Sequence, residues 1–208
     1  MSELTEFLAR QITRARIAII IDATASREPT WDMAMKLQGE LFEQVAKLSG
    51  LEVQLIYYRG LSECSRSPWM SDGPSMGRLM SKVMCRGGPT QIQRALGYVR
   101  QETQKQKVSA VVFIGDAMEE EPGDLYDAAA GLGVPLFMFQ EGDDEYVAET
   151  FIEMARLTKG VHCRFGPGAA KQLAELLRAV AAFAVGGVKA LESQNTAGAK
   201  LLLGKMKK

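Results

Sequence analysis

The chain has 208 residues, 47% of them apolar, with 25 basic and 25 acidic side chains and a formal net charge of zero. This length accommodates one domain with a sizeable core, and the charge balance argues against a general nucleic-acid binder, which needs excess Lys and Arg against phosphate. Cys64, Cys85 and Cys163 are odd in number and form no CxxC, so they read as reduced thiols rather than a disulfide framework. The N-terminal MSELTEFLARQITRAR mixes charges throughout, and the longest apolar runs, such as AVAAFAV at 179–185, fall short of the ~20 residues a bilayer requires. Neither a signal peptide nor a membrane segment is expected, and the chain is expected in the cytoplasm.

Residues 2–12 place Leu4, Phe7, Leu8 and Ile12 at helical spacing, predicting a short amphipathic helix packed on the main fold. RIAIIID, 16–22, is continuously apolar up to its aspartate, the pattern of a strand covered on both faces. Residues 31–50 predict a helix with Met33, Leu37, Leu41, Val45 and Leu48 along one stripe and Gly50 at its end. LEVQLIYY, 51–58, predicts a strand nearer the sheet edge. Residues 59–89 are the least regular; SPWM is the candidate edge strand, and 75–84 supplies one or two helical turns with Met76, Met80 and Met84 in line. Helices are predicted over 90–106, 122–133, 143–160 and 168–187, and strands over 108–116, 134–140 and 161–165. The remainder, 188–208, is weakly amphipathic; it reads as a mobile terminus, or as a segment that docks on a partner or an acidic surface. Alternating strand and helix predict an α/β fold: a doubly wound, mainly parallel sheet with helices on both faces.

In such sheets ligands bind beyond the carboxyl ends of the strands, where strand order reverses. Two of the most buried strand candidates end in aspartate, Asp22 and Asp116. Thr24 and Ser26 follow Asp22 at alternate positions, which point the same way in extended chain. RGGPT, 86–90, leads into a helix, and Thr90 can cap that helix or turn its hydroxyl into the crevice. Two carboxylates and three hydroxyls form a hard-oxygen set that suits Mg²⁺, Mn²⁺ or Ca²⁺ rather than zinc or copper. Asp22 on its own reads as a turn or cap residue; Asp116 and Thr90 together move the reading toward a metal.

DATAS, Thr90 after a glycine-rich loop, and Asp116 in FIGDAMEE resemble the metal-ion-dependent adhesion site (MIDAS) of von Willebrand factor A (VWA) domains. The pattern there is Asp-x-Ser-x-Ser, a distant Thr, then a distant Asp at a strand end; Thr24 stands where serine is usual, and Ala117 follows Asp116 where many members have glycine. The resemblance implies a VWA-like domain over residues 1–187, with residues 1–15 packed on it as a helix and 188–208 as a tail. It implies five parallel strands plus one short antiparallel edge strand, six in all. It implies Asp22, Thr24, Ser26, Thr90 and Asp116 as ligands of Mg²⁺, or of Mn²⁺ or Ca²⁺. It further implies a non-enzymatic module of the bacterial cytoplasmic single-domain type, capturing an Asp or Glu of a partner protein such as an AAA-type ATPase or another assembly component.

An enzymatic alternative takes Asp22 as the nucleophile of a Mg²⁺-dependent phosphatase or phosphotransferase. The second aspartate usual in the haloacid-dehalogenase-type pattern is here Thr24, and no GxGxxG or GxxxxGK[ST] loop is present. A third reading is a metal-free scaffold. Glu119, Glu120, Glu121 and Asp124 form either an auxiliary cation site or acidic recognition rim, or acids favoured near a helix N-terminus. Trp31 and Trp69 are candidate anchors beside the crevice or packing residues. His162, the only histidine, is expected to be structural, and Arg59, Arg66, Arg78 and Arg86 either steer an acidic partner or solvate a loop.

Overall fold

The structure, a computed structural model, describes residues 14–28, 51–166 and 169–206. The helices expected over 2–12 and 31–50, and Trp31, lie outside these residues. The strands are β1 (Ala15–Asp22), β2 (Leu51–Arg59), β3 (Glu63–Arg66), β4 (Ala110–Gly115), β5 (Leu136–Glu141) and β6 (Val161–Phe165). The helices are α1 (Gly73–Met80), α2 (Ile92–Lys105), α3 (Pro122–Ala130), α4 (Glu145–Leu157), α5 (Ala170–Glu192) and α6 (Ala197–Met206). They build one six-stranded sheet in the order β3-β2-β1-β4-β5-β6, parallel throughout except for β3, which runs antiparallel to β2. This is the expected α/β architecture, a VWA-like fold.

Strand order reverses between β1 and β4: the chain leaves β1 toward β2 and β3, then returns to the other side of β1. Their pairing runs from Ile17 opposite Ala110 to Ile21 opposite Ile114, so both strands finish at the same level with Asp22 and Asp116 just beyond. Each β1 residue from Ile17 to Asp22 is buried, because the sheet is covered on both faces. One core lies under α5 and α6, joining Ile19, Val112 and Phe137 to Leu176, Val180 and Leu202. The other lies under α2, α3 and α4, joining Ile20, Phe113 and Met138 to Leu96, Leu125 and Phe151. No helix of the described residues is long and apolar enough to cross a membrane.

Three expectations change. The edge strand is Glu63–Arg66, not SPWM; Met70 forms only an isolated bridge with Val53. Pro68 has no N–H to extend the ladder. The helix expected over 75–84 begins at Gly73, where the Asp72 carboxylate accepts the Ser75 N–H, and ends at Met80. Met76 and Met80 are buried, whereas Met84 lies past the helix and is 70% exposed, so the methionines form no continuous stripe. The last long helix bends at Gly186–Gly187, resumes to Glu192, and is followed by α6, whose Ala199 and Leu202 are buried in the main core. Residues 197–206 are therefore packed rather than loose. Gly198 makes this docking close, since a Cβ there would lie 2.5 Å from the Glu175 carbonyl oxygen.

His162 is buried in β6 with Nε2 2.9 Å from Gln140 Oε1. Burial first, then Lys205 and Arg164, hold its pKa down to about 4. The folded state therefore binds this proton less readily than the unfolded chain. Stability is full above about 6.5 and is lost as pH falls toward about 4. The full shift corresponds to about 3 kcal/mol, reduced to about 2 kcal/mol by residual solvent contact. Urea titrations at pH 4.5 and 7.5 are expected to show a smaller acid loss in His162→Gln than in the parent; equal losses would remove His162 as the cause.

Candidate metal site at the carboxyl end of the sheet

The polypeptide leaves β1 at Asp22, whose side chain has no solvent contact. Asp22 Oδ1 accepts the Thr24 N–H at 2.8 Å, and Oδ2 accepts the Tyr58 hydroxyl at 3.0 Å. Tyr58 is opposite Asp22 in the β1–β2 pairing, so strand register places the donor. Burial pushes the Asp22 pKa up to about 6; Thr24 opposes the rise, the Asp116 charge adds to it, and Arg27 opposes it. Tyr58 is raised well above its ordinary value by burial and by the charges of Asp22, Glu120 and Asp116, so it remains a hydrogen-bond donor. Thr24 starts a short 3₁₀ turn (Ala25–Arg27), and its hydroxyl lies 3.1 Å from that of Ser26. Thr24 is buried and Ser26 exposed, so the pair leads from the buried carboxylate to the surface.

The 86–90 loop closes one side. The Arg86 N–H donates to Ala23 O (3.0 Å), and Arg86 O accepts the Gly60 N–H (3.1 Å). A Cβ at Gly88 would fall 2.2 Å from the Gly60 carbonyl, so only glycine permits this approach. The Thr90 hydroxyl donates to Glu120 Oε2 at 2.5 Å and accepts the Glu119 N–H at 2.8 Å; the Thr90 N–H donates to Glu119 Oε2 at 3.1 Å. Glu120 Oε1 accepts the Ile92 and Gln93 N–H groups. Glu120, not Thr90, thus serves the start of α2, whose N-cap residue is Gln91. Glu120 complements the dipole of α2 rather than of α3, the helix that follows it in sequence.

Asp116 follows β4 directly. A Cβ at Gly115 would meet the Phe113 ring at 2.8 Å and Asp22 Cβ at 3.1 Å, so this glycine lets the two strand ends draw together. Asp116 Oδ1 is buried and has no hydrogen-bond partner among the described residues. The charge of Asp116 acts on both Asp22 and Tyr58. Arg27, the cation that acts on Asp22, is itself engaged: it pairs with Glu141 at 2.9 Å and donates to Ile114 O at 3.2 Å.

Asp22, Thr24 and Ser26 thus form one hydrogen-bonded run. Asp116 stands beside Asp22, and Thr90 is tied to the segment that follows Asp116. Among the described residues no group of three or more His, Cys, Asp or Glu is placed to hold a metal ion. A cation here would depend on two carboxylates supplemented by hydroxyls and water. The donor set fits a hard divalent ion, and the Asp116 oxygen without a hydrogen-bond partner beside the buried Asp22 is an acceptor available to it. Tyr58 and Arg27 are parts of the site that sequence reasoning did not assign, and Glu119 and Glu120 were read as an acidic group without their tie to Thr90. Tyr58 near the end of β2 and arginine one residue past the hydroxyl pair were visible, but their partners were not.

No protein-family model matches the chain, and no curated protein matches it in sequence. Solved structures do match. A von Willebrand factor type A protein from Catenulispora acidiphila aligns with a TM-score of 0.67 and 17% identity over 84% of this chain and 43% of its own. The SpRpn10 VWA domain aligns with a TM-score of 0.62 and 14% identity over 78% of this chain and 94% of its own. The human COPII-coat protein Sec24c aligns with a TM-score of 0.60 and 8% identity over 83% of this chain and 32% of its own. The chain spans less than half the length of the Catenulispora protein. At these identities the likeness is one of fold, and the fold is that of VWA domains.

Proposed function

We propose that this chain is a metal-dependent protein-binding module, and that a divalent ion at the carboxyl end of β1 and β4 captures an Asp or Glu of a partner. The observation that supports this reading is the buried Asp116 Oδ1 without a partner, next to a second buried carboxylate whose pKa stands at about 6. Asp22, Thr24, Ser26, Thr90 and Asp116 would hold the ion, directly or through water. Thr90 keeps one lone pair after accepting from Glu119 N–H, so it can ligate without releasing Glu120. When bound, Mg²⁺ or Mn²⁺ supplies a Lewis-acidic position that an external carboxylate completes. Tyr58 and the Thr24 N–H orient Asp22, and Glu120 holds Thr90 in place. Partners of the assembly type, such as an AAA-type ATPase, fit a fold shared with a coat protein.

The geometry gives the phosphatase reading no support. Asp22 is fully buried with both oxygens accepting hydrogen bonds, a poor arrangement for in-line attack. The test is calorimetric titration of the parent and of Asp116→Asn with Mn²⁺ and Mg²⁺. Asp116→Asn is expected to weaken binding at least tenfold, about 1.4 kcal/mol, while leaving far-UV dichroism unchanged. A parent that binds neither ion would make the domain a metal-free scaffold.

A further inference from the structure

β6 is the last strand of the sheet, so its outer edge is unpaired by any described strand. Two helices flank this edge from opposite faces. The α4 residues Phe151 and Met154 pack in the core that contains Phe113, and the α6 residues Ala199 and Leu202 pack in the core that contains Val180. Between them a groove of about 840 Å³ runs over Gly160, Val161 and His162. That volume is within the range of specific ligand sites. The groove opens at the start of β6, at the far end of the sheet from Asp22 and Asp116.

The walls are apolar and the rim is cationic. Ile152 and Leu201 are both exposed, at 51% and 37%, and Met206 lies beside them. Lys159, Lys200 and Lys205 stand exposed around these residues, and none makes an ion pair among the described residues. No Asp or Glu among the described residues lines the groove, and Arg156, which does, is bound by Glu153 at 2.6 Å. The positive potential reaches the floor, where Lys205 acts on both His162 and Cys163. Lys159 occupies the left-handed region (φ 58°) at the end of α4, closing a turn in which Gly160 N–H donates to Ala155 O at 2.8 Å. Glycine is the usual occupant of that position, so a lysine there accepts strain while placing a charge at the groove mouth.

From this combination we infer that the groove docks an extended, acidic segment of a partner protein, carboxylates toward the three lysines and alternate apolar side chains against Ile152, Leu201 and Met206. Apolar side chains of such a segment gain burial against the aliphatic walls, and its carboxylates meet a rim of complementary charge. The concave form favours a peptide over a flat lipid surface. The inference does not rest on the metal site.

The experiment is selection of a random dodecapeptide display library on the intact chain in EDTA, so that no divalent ion can capture a carboxylate. Enriched peptides are then measured by fluorescence anisotropy against the parent and against Lys159→Glu/Lys200→Glu/Lys205→Glu, with folding checked by thermal unfolding. Enrichment of sequences alternating acidic and apolar residues is expected, with at least a tenfold weaker Kd for the triple variant and an unchanged Kd for Asp116→Asn. Enrichment of neutral or basic sequences, no saturable binding, or equal affinity for the triple variant overturns the proposal. So does lysine-dependent sedimentation with phosphatidylserine vesicles that the enriched peptide does not compete away.

Discussion

Replacing Arg27 by methionine is expected to cost about 3–5 kcal/mol of unfolding free energy, the range for removing one member of a buried ion pair. Arg27 has 1% of its surface exposed, yet carries a full charge. It pairs with the buried Glu141 at 2.9 Å and donates to the Ile114 carbonyl at 3.2 Å. The substitution leaves a buried carboxylate without a cation that lay within bonding distance, and burying charge without such compensation is costly. It also loosens the segment carrying Thr24 and Ser26 from the ends of β4 and β5, so the oxygens above lose their fixed positions. Urea unfolding at pH 7.5 measures the loss. Arg27→Met/Glu141→Leu is expected to recover part of it, because Glu141 then leaves no unmatched charge, although Asp22 still loses the nearby cation. A single-variant loss below about 1 kcal/mol would mean that the pair is offset by solvent and does not hold the site.

Asp22→Asn is expected to act in the opposite direction. With EDTA at pH 7.5 the variant should be more stable than the parent by up to about 3 kcal/mol, the equivalent of a pKa raised from 3.8 to about 6. The sign follows from proton linkage. A raised folded pKa means the folded state holds the proton more tightly, so the contribution is full below about 3.8 and is lost as pH rises through about 6. At pH 7.5 the parent bears the whole cost of an ionised, buried Asp22 beside Asp116, and asparagine does not. The substituted asparagine can keep the Thr24 N–H bond through its carbonyl oxygen and turn its amide toward the Tyr58 hydroxyl, which accepts as well as donates. His162 changes stability in the reverse sense over an overlapping range, so the informative quantity is variant minus parent at each pH. Magnesium should reverse the ranking. At a thousand times its Kd an ion stabilises the parent by about 4.1 kcal/mol, more than that deficit, whereas the variant should gain little. A variant less stable than the parent without metal would show that Asp22 is held mainly by its hydrogen bonds and is not poised for a cation.

These two residues also mark how far the site was legible beforehand. Asp22 and Asp116 stood out because each closes a run of buried aliphatics, and parallel strands of similar length bring such ends to one level. Thr24 and Ser26 were read from the alternation of an extended chain, but the 3₁₀ turn over Ala25–Arg27 is what brings their hydroxyls within 3.1 Å. Arg27 did not stand out, because an arginine in a polar stretch looks like a solvated side chain until its distant partner is known. Glu120 looked like a cap for the helix immediately after it; only the packing of the 116–120 segment against residues 90–93 assigns it to the start of α2. The edge strand was misplaced because Glu-Cys-Ser-Arg lacks the apolar pattern of a buried strand, and its place depends on pairing with β2. The C-terminal segment read as a tail because its pattern is weak, and its burial rests on a glycine contact with another helix.

The order and type of the elements, the parallel sheet and the two aspartates at its carboxyl end were determined by local hydrophobic pattern, since burial on both faces leaves an unbroken apolar signature wherever it occurs. Which charges are matched, which oxygen lacks a partner, and where lysines gather around the groove beside β6 were decided by tertiary structure alone. Those properties belong to pairs of groups far apart in the chain, and electrostatic balance is set by distance in space.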